Sequence, residues 1–71
     1  MVNVMKLRGK IVEKGFTQQS FSEVIGMHIS TLNRKLKTGE DFSIGETNKI
    51  VDVLKLTKDE AVEIFFNQYV A

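Results

Sequence analysis

A short basic segment contains the residues of this 71-residue sequence that are best suited to bind another molecule. From His28 to Gly39 there are three cations and no acid, whereas the whole chain has a formal charge of only +1. Arginine can bond the O6 and N7 atoms of guanine through two parallel donors, and asparagine can bond adenine in a comparable way. We therefore predict that Arg34 and Asn33 contact DNA bases, with Ser30 beside them.

Helical spacing places these side chains on one face of a helix. Ile29, Leu32 and Leu36 recur at helical positions and are predicted to face a core. The opposite face then carries the polar and basic set, which is Ser30, Asn33, Arg34 and Lys37. Lys35 and Lys37 are predicted to contact phosphates, which position a protein on DNA without reading sequence. The simpler alternative is a solvated helix face, and only the neighbouring turn favours DNA over it.

Two polar residues flank this face. Thr17 is predicted to cap a preceding helix, which places Gln18 in the first turn of that helix, where its amide can meet a phosphate oxygen. His28 is predicted to cap the basic helix or to contact a phosphate. Metal binding by His28 is disfavoured because the chain has no second histidine and no cysteine. We predict no metal and no cofactor.

Glycines divide the apolar periodicity into short helices. Proline is absent, and glycines follow several periodic segments, where they can end a helix in the left-handed conformation. Gly15 and Gly26 are predicted to end the first two helices, and the third is predicted to end near Gly39. The residues predicted to form the apolar stripes of the first two helices are Val4, Leu7, Ile11, Val12, Phe21, Val24 and Ile25.

Two capping-box pairs, Ser43 with Glu46 and Thr57 with Glu60, predict the starts of two further helices. The residues predicted to be buried there are Ile44, Ile50, Val51, Leu54, Val62 and Phe65. With 42% hydrophobic and 27% charged residues, the chain is expected to fold as one all-α domain over residues 1–71. We predict a compact five-helix bundle, with a helix-turn-helix at about 17–37 and a last helix at about 58–69.

The C-terminal segment carries more apolar surface than one side of a short helix can bury. We predict that a partner protein covers part of it, because exposed apolar patches mark interfaces. The residues assigned to this interface are Ile64, Phe66, Tyr69 and Val70, whereas Val62 and Phe65 are assigned to the core. The partner is a second copy of the chain or a larger protein.

Several classes of protein are disfavoured. The absence of cysteine is typical of a reducing compartment, and no apolar run reaches the roughly 20 residues of a membrane span or follows the N-terminal cations as in a signal peptide. We expect a cytoplasmic protein that does not bind membranes. No nucleophile, base and orienting residue stand together, so we expect no enzymatic activity and no small-molecule substrate.

The segments GFTQ at 15–18 and GMHISTL at 26–32 resemble the helix-turn-helix of Cro/CI-type (XRE-like) regulators. The run at 30–39 is similar to recognition helices of small regulators from temperate phages, and EIFF at 63–66 is similar to their closing helix. The resemblance implies a lambda-repressor-like fold and regulation of a phage lysogeny switch in the bacterial host. The chain departs from the pattern at His28, where serine or threonine is usual, and at Leu36, where glutamate is frequent.

The resemblance also implies contacts and partners. It carries DNA contact to Gln18, Ser30, Asn33 and Arg34, with Thr31 in the same run, and it implies a homodimer on a palindromic operator. Small members of the MOR-like antirepressor type act instead through contact with a phage repressor. Two functions therefore stay open: a DNA-binding regulator acting at a promoter, and an antirepressor that binds a CI-type repressor in a heteromeric complex.

Overall fold

The computed structural model of the protein describes residues 2–66 and forms five helices there. They are α1 (Val4–Glu13), α2 (Gln18–Val24), α3 (Ile29–Thr38), α4 (Ile44–Leu54) and α5 (Lys58–Phe65). Residues 2–66 contain no strand, and the predicted all-α five-helix architecture is confirmed. None of the helices in this range has the length and apolarity to cross a bilayer.

Reciprocal capping boxes stand at the starts of three of the helices. Thr17 caps α2 as predicted, and its partner in a reciprocal capping box is Ser20, which the sequence analysis did not identify. The two predicted capping boxes are also present, with Ser43 and Glu46 at α4 and Thr57 and Glu60 at α5. Each box satisfies backbone N–H groups that have no partner inside the helix.

Glycines end α3 and permit the connection between α2 and α3. Gly39 adopts a left-handed conformation, with φ of 70°, and its N–H donates to the Lys35 carbonyl at 2.8 Å. Gly26 has φ of 71° in the short segment that joins α2 to α3. A side chain at either position would be strained, so these glycines determine how α3 is placed against α2.

The core lies where α2 packs on α3 and α1 contacts both α3 and α5. Its buried residues are Leu7, Ile11, Phe21, Ile25, Leu32, Leu36, Ile50, Leu54, Leu56, Ile64 and Phe65. Every helix therefore contributes apolar side chains to a single core. Phe21 is fully buried and meets the Phe16 ring edge to face at a centroid distance of 5.5 Å.

Three residues predicted to lie on the buried faces are instead exposed. Val12 is 72% exposed, Val24 47% and Ile44 83%. Val12 and Val24 each stand next to a buried isoleucine in the chain, and neighbouring helical residues point roughly 100° apart. In these two pairs only the isoleucine enters the core. Ile44 is the first residue of α4 and lies at the edge of the bundle.

Ion pairs join α1 to α5. Lys6 pairs with Glu63, and the Lys10 Nζ lies 2.5 Å from a Glu60 carboxylate oxygen and 3.1 Å from one of Glu13. The hydrogen bond from Lys10, followed by that from the Thr57 N–H, lowers the pKa of Glu60 from 4.5 to about 2. The same contact with Glu60, together with Glu13, raises the pKa of Lys10.

Candidate nucleic-acid interface

One face of α3 is exposed and polar. Leu32 and Leu36 are fully buried, which fixes the rotation of the helix about its axis. The exposed side chains on the other side include Ser30, Asn33, Arg34 and Lys37, whereas Thr31 and Ile29 are half-buried. We name the four exposed residues the α3 face. Because the opposite side is packed, this face projects from a helix whose orientation is fixed.

His28 caps the start of α3. Its Nδ1 accepts the Ser30 N–H at 3.2 Å and lies 2.8 Å from the Ser30 hydroxyl. The imidazole thus replaces the serine or threonine that usually satisfies such a donor. The His28 ring and the Ser30 hydroxyl form one polar pair at the N-terminal end of the α3 face.

Gln18 stands in the first turn of α2 and is half-buried. It lines a small depression together with Thr17, Phe16 and the exposed Arg8 of α1. The structure thus brings a cation from α1 beside Gln18. Arg8 is not among the predicted contacts, because Arg8 and Gln18 belong to different helices and no spacing along the chain relates them.

The prediction that Lys35 contacts phosphate is wrong, because the side chain points into the protein. Lys35 is 7% exposed, and its Nζ lies 2.8 Å from the Glu46 carboxylate and also donates to the Asp41 carbonyl. The hydrogen bond from Lys35 lowers the pKa of Glu46, and the Ser43 N–H acts in the same direction. The Lys35 ammonium group also lies 5.8 Å from the centre of the Phe42 ring. Lys35 therefore joins α3 to the start of α4.

Arg34 and Lys37 are the cations of the α3 face. One Arg34 nitrogen, Nη1, lies 3.3 Å from the Asp41 Oδ2, and both side chains are more than half exposed, at 56% and 71%. Such an exposed pair contributes little to the stability of the fold. Within residues 2–66, Lys37 forms no ion pair, so its charge is available to an anionic ligand. Asp41, which follows α3 in the connection to α4, is not among the predicted site residues.

A separate apolar groove of about 570 Å³ lies between α4 and α5. The main apolar residues lining it are Val2, Phe42, Ile44, Val51, Phe65 and Phe66, and the acidic residues Glu40 and Asp41 also line it. Phe66, assigned to a partner interface, is 48% exposed. Ile64 is 1% exposed, so its assignment to that interface is wrong: it points into the core, where its carbonyl also accepts the Asn3 N–H.

Tyr69 and Val70, also assigned to the interface, lie outside the described residues, as does the predicted continuation of the last helix to residue 69. Phe65 is buried as predicted, and its ring meets Phe42 edge to face at 6.2 Å. Val62 is half-buried.

A protein-family profile with the description "Protein of unknown function (DUF739)" matches residues 2–68. The profile thus covers all five helices. A comparison with curated proteins gives no match.

Proposed function

The chain belongs to the DUF739 family, and because that family's description assigns no function, we propose one from the arrangement of the side chains. We propose that the protein is a sequence-specific, DNA-binding transcription regulator of the Cro/CI type and that α2 and α3 are its helix-turn-helix. The observation that carries this proposal is the α3 face: polar and basic side chains on a helix fixed by two fully buried leucines.

In this mechanism α3 enters the major groove and α2 lies across the phosphate backbone. Arg34 and Asn33 bond base edges, and Ser30 lies beside them at the start of the helix. Lys37 and Gln18 contact phosphates and fix the position of α3. The role is not catalytic, and binding at a promoter blocks transcription. Following the Cro/CI resemblance, we place this action in the bacterial cytoplasm, at a phage lysogeny switch, with two copies on a palindromic operator.

The local charge supports this mechanism better than the net charge does. The chain as a whole carries only +1, yet Arg34 and Lys37 project together from one exposed face. Arg8 adds a third exposed cation beside Gln18. The proximity of Arg34 and Lys37 on α3 matters because the attraction between exposed charges is screened within about 8 Å at physiological salt.

Arg34→Ala provides the test of this proposal. A duplex selected from a random-sequence library is titrated by fluorescence anisotropy beside a scrambled duplex, at low and at physiological salt. We expect the variant to lose about 1–3 kcal/mol of discrimination at the base that Arg34 reads. Lys49→Ala, which removes an exposed cation of α4, serves as the control and keeps the discrimination. Equal discrimination by the wild type and Arg34→Ala would contradict the assignment.

The apolar groove favours a second candidate function. Phe66 and Ile44 leave apolar surface exposed on the side formed by α4 and α5, and such patches mark protein interfaces. In this alternative the protein is an antirepressor that binds a CI-type phage repressor through the groove. Phe66→Ala would then weaken binding to the repressor, measured by calorimetry, while Arg34→Ala would keep it. The opposite pattern would locate the repressor contact on α3.

A further inference from the structure

Asp41 has an unusual backbone conformation, and its exposed carboxylate contacts Arg34. It has φ of 65°, a conformation that few residues other than glycine adopt, although aspartate and asparagine tolerate it. Its carbonyl accepts a hydrogen bond from Lys35, and its carboxylate lies 3.3 Å from the Arg34 Nη1. Non-glycine residues in this region of backbone space concentrate at functional sites.

A buried lysine holds the backbone of Asp41. The ammonium group of Lys35 is held by Glu46 at 2.8 Å, and the same Glu46 oxygen accepts the Ser43 N–H at 2.9 Å. Lys35 is almost fully buried, so it holds the Asp41 carbonyl from inside the protein. The carboxylate of Asp41 is thereby directed outward, beside Arg34. Asp41, whose carbonyl is bonded to the buried Lys35, thus contacts Arg34, the side chain that is proposed to read bases.

We propose that Asp41 is a positioning residue that orients the Arg34 guanidinium and so determines the base selectivity of Arg34. The inference rests on the proposed DNA-binding function. A single contact to Nη1 leaves the other donors of the planar guanidinium free for the two parallel bonds that guanine accepts. Arginine has many rotamers, and a side chain already held in its binding orientation loses less entropy when it binds.

The test compares Asp41→Asn with the wild type. Asparagine tolerates the left-handed conformation but removes the charge, and Asp41→Gly keeps the backbone conformation while removing the side chain. Anisotropy titrations measure affinity for the selected and the scrambled duplex. We expect affinity for the scrambled duplex to rise because a negative charge is lost, and the ratio of selected to scrambled affinity to fall by about two- to fivefold in both variants.

Two controls separate positioning from simple repulsion of DNA. Glu40→Gln removes the neighbouring exposed charge and should raise both affinities without changing their ratio. In an Arg34→Ala background, Asp41→Asn should leave the ratio unchanged, because the side chain to be positioned is absent. Side-chain NMR relaxation of the Arg34 Nε–H, recorded without DNA, should show greater mobility in Asp41→Asn than in the wild type.

Two further outcomes would overturn the inference and can be told apart. If the wild type binds the selected duplex selectively and Asp41→Asn keeps both the ratio and the Arg34 mobility of the wild type, Asp41 does not position Arg34, and the proposed function stands. If the wild type itself shows no selectivity for any duplex, the proposed function fails, and the inference fails with it.

Discussion

At the scale of single residues, Lys35 and Lys37 show how the same residue type can serve different purposes two positions apart. Lys35 is buried and bonded to Glu46, whereas Lys37 is exposed and forms no ion pair within residues 2–66. Burying a charge is unfavourable unless hydrogen bonds compensate it, so Lys35 depends on its partners. The exposed Lys37 needs no buried hydrogen-bond partners, and its ammonium group is accessible to a phosphate.

Alanine substitutions should separate the two lysines. Lys35→Ala leaves Glu46 without its cation and removes buried hydrogen bonds, so we expect the free energy of unfolding to fall by about 2 kcal/mol. Lys37→Ala should change stability by less than about 0.5 kcal/mol but lower the slope of log affinity against log salt by about 1. Urea unfolding and anisotropy at several salt concentrations measure these effects. The interpretation would be refuted if Lys35→Ala lowered the salt slope and kept full stability.

The sequence could predict the α3 face but not the partners of its charged residues. The spacing of Leu32 and Leu36 is local, and it determines which residues of the helix face outward. A lysine at the edge of the buried face of a helix can point inward or outward, depending on which side chain of the neighbouring helix faces it. For Lys35 this is Glu46, on a helix whose position follows from tertiary packing. The periodicity of a single sequence carries no information about the distance between Lys35 and Glu46.

At the scale of secondary-structure elements, α1 and α5 are held together partly by charge. Both Lys10 and Glu60 belong to this contact, and Glu60 also accepts the Thr57 N–H in the capping box of α5. One carboxylate thus serves both the start of a helix and its attachment to a neighbour. Protonating Glu60 would weaken both interactions together.

The pH dependence of stability should reflect this carboxylate. Its folded-state pKa of about 2 lies below the ordinary 4.5, so the ionised group stabilises the fold above about pH 4.5. This contribution is lost as the pH falls towards 2, since the unfolded chain binds the proton first. Glu60→Gln, which keeps an acceptor for the cap, should reduce the fall in unfolding free energy between pH 4.5 and 2.

Glu23→Gln is the matched control for this pH measurement. Glu23 is exposed on α2 and contacts Gln19 rather than a cation. We expect the Glu23→Gln variant to show the same fall in unfolding free energy between pH 4.5 and 2 as the wild type, measured by urea unfolding at each pH. If the unfolding free energy of Glu60→Gln fell as steeply at low pH as that of the wild type, the pair of Glu60 with Lys10 would not contribute to the pH dependence.

At the scale of the whole molecule, a small core must provide most of the stability. Chains of this length have a free energy of unfolding of about 4–10 kcal/mol. The loss of one buried side chain is therefore a large fraction of the total. Ile64 and Phe66 stand two positions apart, yet the first is buried in the core and the second is half-exposed at the groove.

Ile64→Ala and Phe66→Ala should differ strongly in stability. We expect Ile64→Ala to cost about 2–5 kcal/mol, because it leaves a cavity in a fully packed region. Phe66→Ala should cost less than about 1 kcal/mol, because half of its surface already meets solvent. Thermal unfolding measures both. Similar melting temperatures for the two variants would contradict the burial of Ile64.

The five-helix architecture could be predicted because its signals are local. The caps at Ser43 and Thr57 and the glycine that ends α3 are each determined by residues within one helical turn. The exposure of Ile44 and the burial of Ile64 could not be predicted in this way. A helical wheel identifies an apolar side but not how wide a strip of that side the neighbouring helices cover.

The hydrogen bond from the Asn3 N–H to the Ile64 carbonyl, at 2.7 Å, has a consequence for biosynthesis. The ribosome releases α1 first, yet its contacts with α5 require residues made some fifty positions later. Until α5 emerges, Leu7 and Ile11 lack the core residues that α5 contributes, and the nascent chain exposes apolar surface. Folding is therefore expected to finish only after α5 has left the exit tunnel, and a premature stop codon before α5 would yield a product that cannot complete its core.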